Sequence, residues 1–131
     1  MPDREFEKVK VGDLLPGIIC SVQEDPEHLF KGFHDKIKGT VNPDITCPAV
    51  RFIFLFDDYQ EKHYGCWEKK NYGAKSNLYK KYIEKLVDNA KPDQKFDIQL
   101  LDGMPVKVLW SEKNNFQNVD MVLPLKDKLT L

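Results

Sequence analysis

The chain has 131 residues, 41% of them hydrophobic and 31% charged, with a formal net charge of −1. That length suits one domain spanning 1–131, and that balance excludes both an intrinsically disordered chain and a uniformly basic nucleic-acid-binding domain. The longest apolar runs, such as AVRFIFLF, fall far short of the ~20 residues of a membrane-spanning helix, and MPDREFEKVK has no signal-peptide core, so a cytoplasmic location is expected.

DLLPGIICSVQED is the first predicted strand, with Ile18, Cys20 and Val22 on one face and Ile19, Ser21 and Gln23 on the other. Residues 26–48 then show no sustained period and carry scattered Gly, Pro, Asn and Asp, which predicts a long loop of the kind that is functional, mobile or built around a short element. AVRFIFLFDD is the clearest strand, with Val50, Phe52, Phe54 and Phe56 on one face. DDYQEK predicts a turn into a third strand, KHYGCWEKK, where His63, Gly65, Trp67 and Lys69 alternate with Tyr64, Cys66, Glu68 and Lys70. Neither of its faces is plainly apolar, so an aromatic side chain is expected at the surface.

Ser76 is a good helix N-cap, and Leu78, Tyr79, Tyr82, Ile83, Leu86, Val87 and Ala90 fall at helical spacing, which predicts a helix over SNLYKKYIEKLVDNA stopped by Pro92. GMPVKVLWSEK, with Val106, Val108 and Trp110 in phase, and QNVDMVLPL, with Val119, Met121 and Leu123 in phase, are the last two strands, joined by a turn at SEKNNFQN. Five strands with one helix between the third and fourth is the order of the OB-fold, so the predicted fold class is all-β with one helix, a five-stranded Greek-key barrel. An open α+β roll of the same elements is the alternative. Strand edges in such a fold can pair between subunits, which leaves a dimer open.

Charge is unevenly placed. Residues 62–82 hold Lys62, Lys69, Lys70, Lys75, Lys80 and Lys81 against the single Glu68, a net +5, which leaves −6 for the remainder. A basic stripe on an acidic chain implies a direction of approach for an anionic partner. In an OB-fold the nucleic-acid face is built from the second and third strands and the loops flanking them. Here those places supply Tyr64, Trp67, Lys69 and Lys70 from the third strand. The long loop supplies Phe30, Lys31, Phe33, His34, Lys36 and Lys38, and the last hairpin Lys113 and Phe116. Aromatic faces stack on bases while lysines follow phosphates, so Trp67, Tyr64, Phe33 and Phe116 are candidate platforms and Lys69, Lys70, Lys31 and Lys113 candidate phosphate contacts. Phe52, Phe54, Tyr79, Tyr82 and Trp110 are assigned to the core by phase, and lysines at strand ends ordinarily just solvate a surface.

Other chemistry is less supported. YGAKS before the helix lacks the GxxxxGK[ST] spacing of a phosphate loop, and its glycine suits a turn. His28, His34, Cys47, His63 and Cys66 share no metal-ligand spacing, and Cys20, Cys47 and Cys66 are too few and too far apart for a disulfide framework, so no metal and no cofactor is expected. Cys66 and His63, three apart on a strand, point to opposite faces and make no nucleophile and base, while Asp57 and Asp58 suit a turn. The chain is therefore expected not to be an enzyme.

The stretches YGAKSNLYKKY, AKPDQKFDIQLLDGMPVKVLW and FQNVDMVLPL resemble segments of small bacterial and phage-associated proteins of OB-fold type, over residues 50–124. The resemblance implies single-stranded DNA binding in a replication or recombination context. KDKLTL departs from single-strand binders that end in a long acidic tail. The expected function is thus binding of single-stranded nucleic acid, DNA first, with low sequence preference. The alternative is a protein-interaction module, an adaptor or an inhibitor of a nucleic-acid enzyme, that makes its contact through 26–48.

Overall fold

A computed structural model describes residues 7–35 and 37–131; the side chain of His34 and all of Lys36, both named above, lie outside the described residues. The chain forms β1 (Leu14–Phe30), β2 (His34–Asp35), β3 (Thr40–Val41), β4 (Ile45–Phe56), β5 (His63–Tyr64) and β6 (Glu68–Lys69), then a short helical segment, then β7 (Pro105–Lys113) and β8 (Phe116–Pro124). The main sheet is antiparallel and open, in the order β5-β4-β1-β7-β8 with β6 also on β4. β1 is shared: its first residues pair with β7 while most of its length pairs with β4.

Two parts of the expected fold are corrected. The sheet does not close into a barrel among the described residues; past the end of β5 the Cys66 thiol donates to Asn118 Oδ1 of β8 at 2.9 Å. Nor does the helix lie between the third and fourth strands of the molecule, but between β6 and β7. The expected loop 26–48 is largely strand, because β1 continues to Phe30 and β4 begins at Ile45, with β2 and β3 pairing at the tip. The expected third strand is broken at Gly65–Trp67 into β5 and β6, two residues each. Gly32 holds the base of the resulting arm: a Cβ there would lie 1.7 Å from the Asn42 carbonyl oxygen.

Two bulges explain where the expected faces fail. β1 slips register between Ile19 and Ser21, so Ile19 and then Val22 turn inward, rather than Ile18, Cys20 and Val22 together. β8 takes an extra residue where Leu109 pairs with Met121 and Trp110 with Val119, so Val119 and Val122 are buried and Met121 is exposed. β7 has no extra residue, and Val106, Val108 and Trp110 are buried in phase. The β7–β8 turn is Asn114–Asn115, both with positive φ (53° and 66°), the geometry of a two-residue type I′ hairpin.

Ser76 caps the helical segment, its Oγ accepting from Tyr79 N–H at 3.1 Å. The segment is π-helical over Tyr79–Ile83 and α-helical over Glu84–Leu86, and ends about a turn before the expected stop. Val87 turns extended there and bridges Leu129, with Leu129 N–H donating to Leu86 O and Asp88 N–H to Leu129 O, both at 2.7 Å. Leu78, Tyr82, Ile83 and Leu86 pack from this segment onto Val50, Phe52, Phe54, Val106 and Val108, forming one core on the inner face of the sheet. No helix among the described residues is long and apolar enough to cross a membrane.

Candidate functional site

With the even residues of β4 turned to the core, its odd residues Ala49, Arg51, Ile53 and Leu55 lie on the opposite face of the sheet, where Ala49 and Ile53 are themselves buried. Residues opposed in an antiparallel pair share a face, so Gln23 joins Arg51, Tyr64 joins Ile53, Lys69 joins Ala49, and beyond the second β1 irregularity His28 joins Cys47 and Phe30 joins Ile45. The break in the third strand shifts its parity, putting Trp67 on the same side as Tyr64 while His63 and Glu68 turn inward.

These side chains form a ladder. The Arg51 guanidinium lies 4.8 Å from the Tyr64 ring centroid and 4.7 Å from that of Trp67. His28 stacks on Trp67 at 4.6 Å with 27° between planes, and meets Phe30 edge-on at 4.8 Å. Lys69 Nζ lies 5.8 Å from the Phe30 centroid. Cys47, opposite His28, and Arg51 are four residues apart on β4, roughly 13 Å along the strand, so His28 and Arg51 close on the indole from opposite directions.

Second contacts fix the rungs. Gln23 Oε1 accepts from both Arg51 Nε and Nη2. Asp25 Oδ2 lies 3.2 Å from His28 Nδ1. Arg51 is thus oriented by a neutral amide, and neither it nor Lys69 pairs with a carboxylate among the described residues.

The sequence-derived residues divide accordingly. Trp67, Tyr64 and Lys69 are brought together on this face. Trp67 is half-buried and already flanked, so it is not the open platform expected. Lys70 points to the other side and is tied to Glu24, whose second oxygen accepts from Gln99 Nε2 at 2.8 Å; these contacts raise the Lys70 pKa and lower that of Glu24. Phe33 and Lys31 stand exposed on the arm. Lys113 and Phe116 face each other across the β7–β8 turn, and Phe116, 74% exposed, shares a groove of about 850 Å³ with Tyr64. A smaller groove of about 380 Å³ beside Phe30 and Trp67 carries Lys69 and Lys75.

Arg51, His28 and Gln23 were not among the sequence-derived site residues. An arginine inside AVRFIFLF, opposite in parity to four buried apolar residues, was the legible sign for the first. His28 and Gln23 become legible only once the pairing of β1 with β4 is known.

The other chemistries fare as follows. In YGAKS the Gly73 N–H donates to Asn71 Oδ1 at 2.8 Å, and Ser76 Oγ donates to the Asn71 and Gly73 carbonyls, so the loop satisfies its own polar groups rather than presenting them. His63 is buried while Cys66 is exposed. No group of three or more His, Cys, Asp or Glu among the described residues is arranged to hold a metal. In comparisons with known proteins, no family model, no curated protein and no solved structure matches the chain.

Proposed function

We propose that the chain is a non-enzymatic module of OB-fold type that binds single-stranded nucleic acid, DNA first and with little sequence preference, on the outer face of β1, β4, β5 and β6. The observation that carries this reading is the ladder Tyr64–Arg51–Trp67–His28–Phe30–Lys69, in which the cations Arg51 and Lys69, paired with no carboxylate among the described residues, lie against aromatic rings. Rings suit bases and cations suit phosphates, which is the composition of a surface for single strands. The order β1, β4, β5 with β6, helix, β7, β8, with β1 shared between two partners, supports the OB-fold part, since that fold is a partly open barrel whose second and third strands carry the interface.

The ladder also changes how binding works. Trp67 is covered by Arg51 and His28, so bases stack first on the ladder's exposed ring, Tyr64, with the half-buried Phe30 at the other end. Arg51 and Lys69 meet the backbone between them. A context in phage replication or recombination follows from the resemblance of residues 50–124 and is part of the proposal.

Anisotropy of a fluorescein-labelled dT oligonucleotide, titrated at two salt concentrations while tryptophan emission is followed, tests it. Salt-sensitive binding with a tryptophan change is expected; no binding at low salt refutes it. A protein partner is the second reading, favoured by the apolar side chains that the arm exposes, Leu29, Phe33, Val41 and Ile45. Salt-insensitive capture of one specific protein, lost on Phe33→Ser, is its expected result.

A further inference from the structure

The ladder has two ends, and the grooves beside them differ in charge. Along β4 it runs from Ile53, opposite Tyr64, to Ile45, opposite Phe30, a separation of eight residues or roughly 26 Å. At the Tyr64 end the 850 Å³ groove carries Lys8 and Lys62 against Glu7 and Glu61, so its charges cancel. At the Phe30 end lie the 380 Å³ groove and another of about 530 Å³. The smaller holds Lys69 and Lys75 with Glu68, the larger Lys69, Lys70 and Lys95 with Asp93.

Some of these charges are already matched. Glu68 is buried with Lys81 3.7 Å away, and Lys70 is tied to Glu24. Lys69, Lys75 and Lys95 are all exposed and pair with no carboxylate among the described residues, while Asp93 is the exposed carboxylate set against them. Three cations against one carboxylate is a surplus of two at this end, where the other end has none.

The two grooves also adjoin each other and the ladder. Lys69 and Asn71 line both of them. Lys69 Nζ lies 5.8 Å from the Phe30 centroid, and Phe30 and Trp67 themselves line the smaller groove. Ile45 and Cys47, the β4 partners of Phe30 and His28, line the larger one. A polyanion follows cations that are free of carboxylates, and the field of such a groove is focused by its low-dielectric walls. We propose that a bound single strand does not end on the ladder but runs off it past Phe30, its phosphates crossing Lys69 between these grooves and meeting Lys75 in one and Lys95 in the other. This rests on the nucleic-acid reading above and extends its interface to two segments outside the sheet, the YGAKS loop and the stretch leading into Ile98–Leu101.

A fluorescein-labelled dT strand of about 20 nucleotides, longer than the roughly 4–16 that one OB-fold takes, is titrated by anisotropy across a salt series. The parent is compared with Arg51→Ala, with the groove pair Lys75→Ala and Lys95→Ala, and with a control pair, Lys126→Ala and Lys128→Ala. Both pairs remove two exposed charges, and the control pair lines neither groove. Each lost phosphate contact flattens log K against log salt by about 0.7 on a single strand, so the groove pair is expected to flatten it by about 1.4 and the control pair not at all. Between 50 and 200 mM salt that makes the loss of affinity about sevenfold smaller than in the parent. The pair Lys75→Arg and Lys95→Arg is expected to keep the parent slope, and all these loop substitutions to leave Tm unchanged.

A parent slope in the groove pair, with Arg51→Ala flattened, overturns the extension and leaves the ladder interface standing. Equal flattening by the control pair overturns it too, because the effect is then that of the chain's overall charge. Flattening by the groove pair with none by Arg51→Ala takes the strand off the ladder and overturns the continuous path. Absence of binding by the parent at low salt overturns both readings.

Discussion

Replacing Arg51 separates the two roles given to the ladder, because its guanidinium touches two rings and carries one of the uncompensated charges. Each cation–π contact at a half-exposed site contributes about 0.5–1 kcal/mol, so Arg51→Ala should cost about 1–2 kcal/mol of stability. For a domain of this size that lowers Tm by roughly 3–10 °C. Gln23 loses its partner as well, but it is only half-buried and water can replace the bond. Arg51→Lys keeps the charge and loses the planar overlap and the fork to Gln23, so about half of that loss is expected.

Binding should divide the same pair differently. Arg51→Ala removes one phosphate contact and flattens the slope of log K against log salt by about 0.7, whereas Arg51→Lys leaves the slope unchanged. Differential scanning calorimetry and oligonucleotide anisotropy across a salt series measure both. If Arg51→Ala changes neither Tm nor slope, the guanidinium is a bystander and the ladder is not the interface.

Trp67→Ala should weaken oligonucleotide binding with the fold intact by circular dichroism, because it releases Arg51 and His28 from the positions they hold against the indole. Gly32→Ala should open the arm base, where the Gly32 N–H donates to Asp44 Oδ1 at 2.8 Å, and limited proteolysis should then cut between 31 and 44 faster than in the parent. Two carboxylates should give opposite pH dependences. Burial pushes Glu68 above its ordinary 4.5 against the pull of Lys81 and Asn77, so the native state holds the proton longer and stability falls as pH rises from 4.5 through the raised value. Hydrogen bonds from Lys70 and Gln99 hold Glu24 below 4.5, so its contribution is present above 4.5 and lost as pH falls through the lowered value. In urea midpoints measured against pH, Glu68→Gln should flatten the first decline and Glu24→Gln the second; the reverse assignment would contradict the contacts.

Legibility followed the chain's local regularity. The inward face of β4 was plain from Phe52, Phe54 and Phe56, and the β7 face from Val106, Val108 and Trp110, because neither strand inserts a residue. β1 and β8 were misphased where a bulge adds one, since a strict alternation has no term for an extra residue. The arm was unreadable for another reason. His28 and Phe30 belong to a strand only because Cys47 and Ile45 pair with them, and nothing local in PEHLF announces that partner. Tyr64 was legible as a surface aromatic because KHYGCWEKK lacks an apolar face. That Arg51 and His28 enclose Trp67 depends on three strands at once and could not be read from any one of them.

The basic stripe narrows when its partners are counted, which bears on how strongly this face can hold a polyanion. Of the six lysines in 62–82, Lys70 is tied to Glu24 and Lys81 to Glu68 at 3.7 Å, so that among the described residues Lys62, Lys69, Lys75 and Lys80 pair with no carboxylate, with Arg51 added from β4. These five cations are not all on the ladder face, since Lys80 belongs to the helical segment packed on the inner face of the sheet, so they do not all meet one strand. Four phosphate contacts would give a slope near −2.8, so that raising salt from 50 to 200 mM weakens binding about 50-fold. The acidic remainder of the chain opposes even this, which fits a weak, non-selective binder better than a tight one. A slope near zero together with a tryptophan change would instead mean that the rings do the holding, and would assign the face to a flat, uncharged ligand rather than to a nucleic-acid backbone.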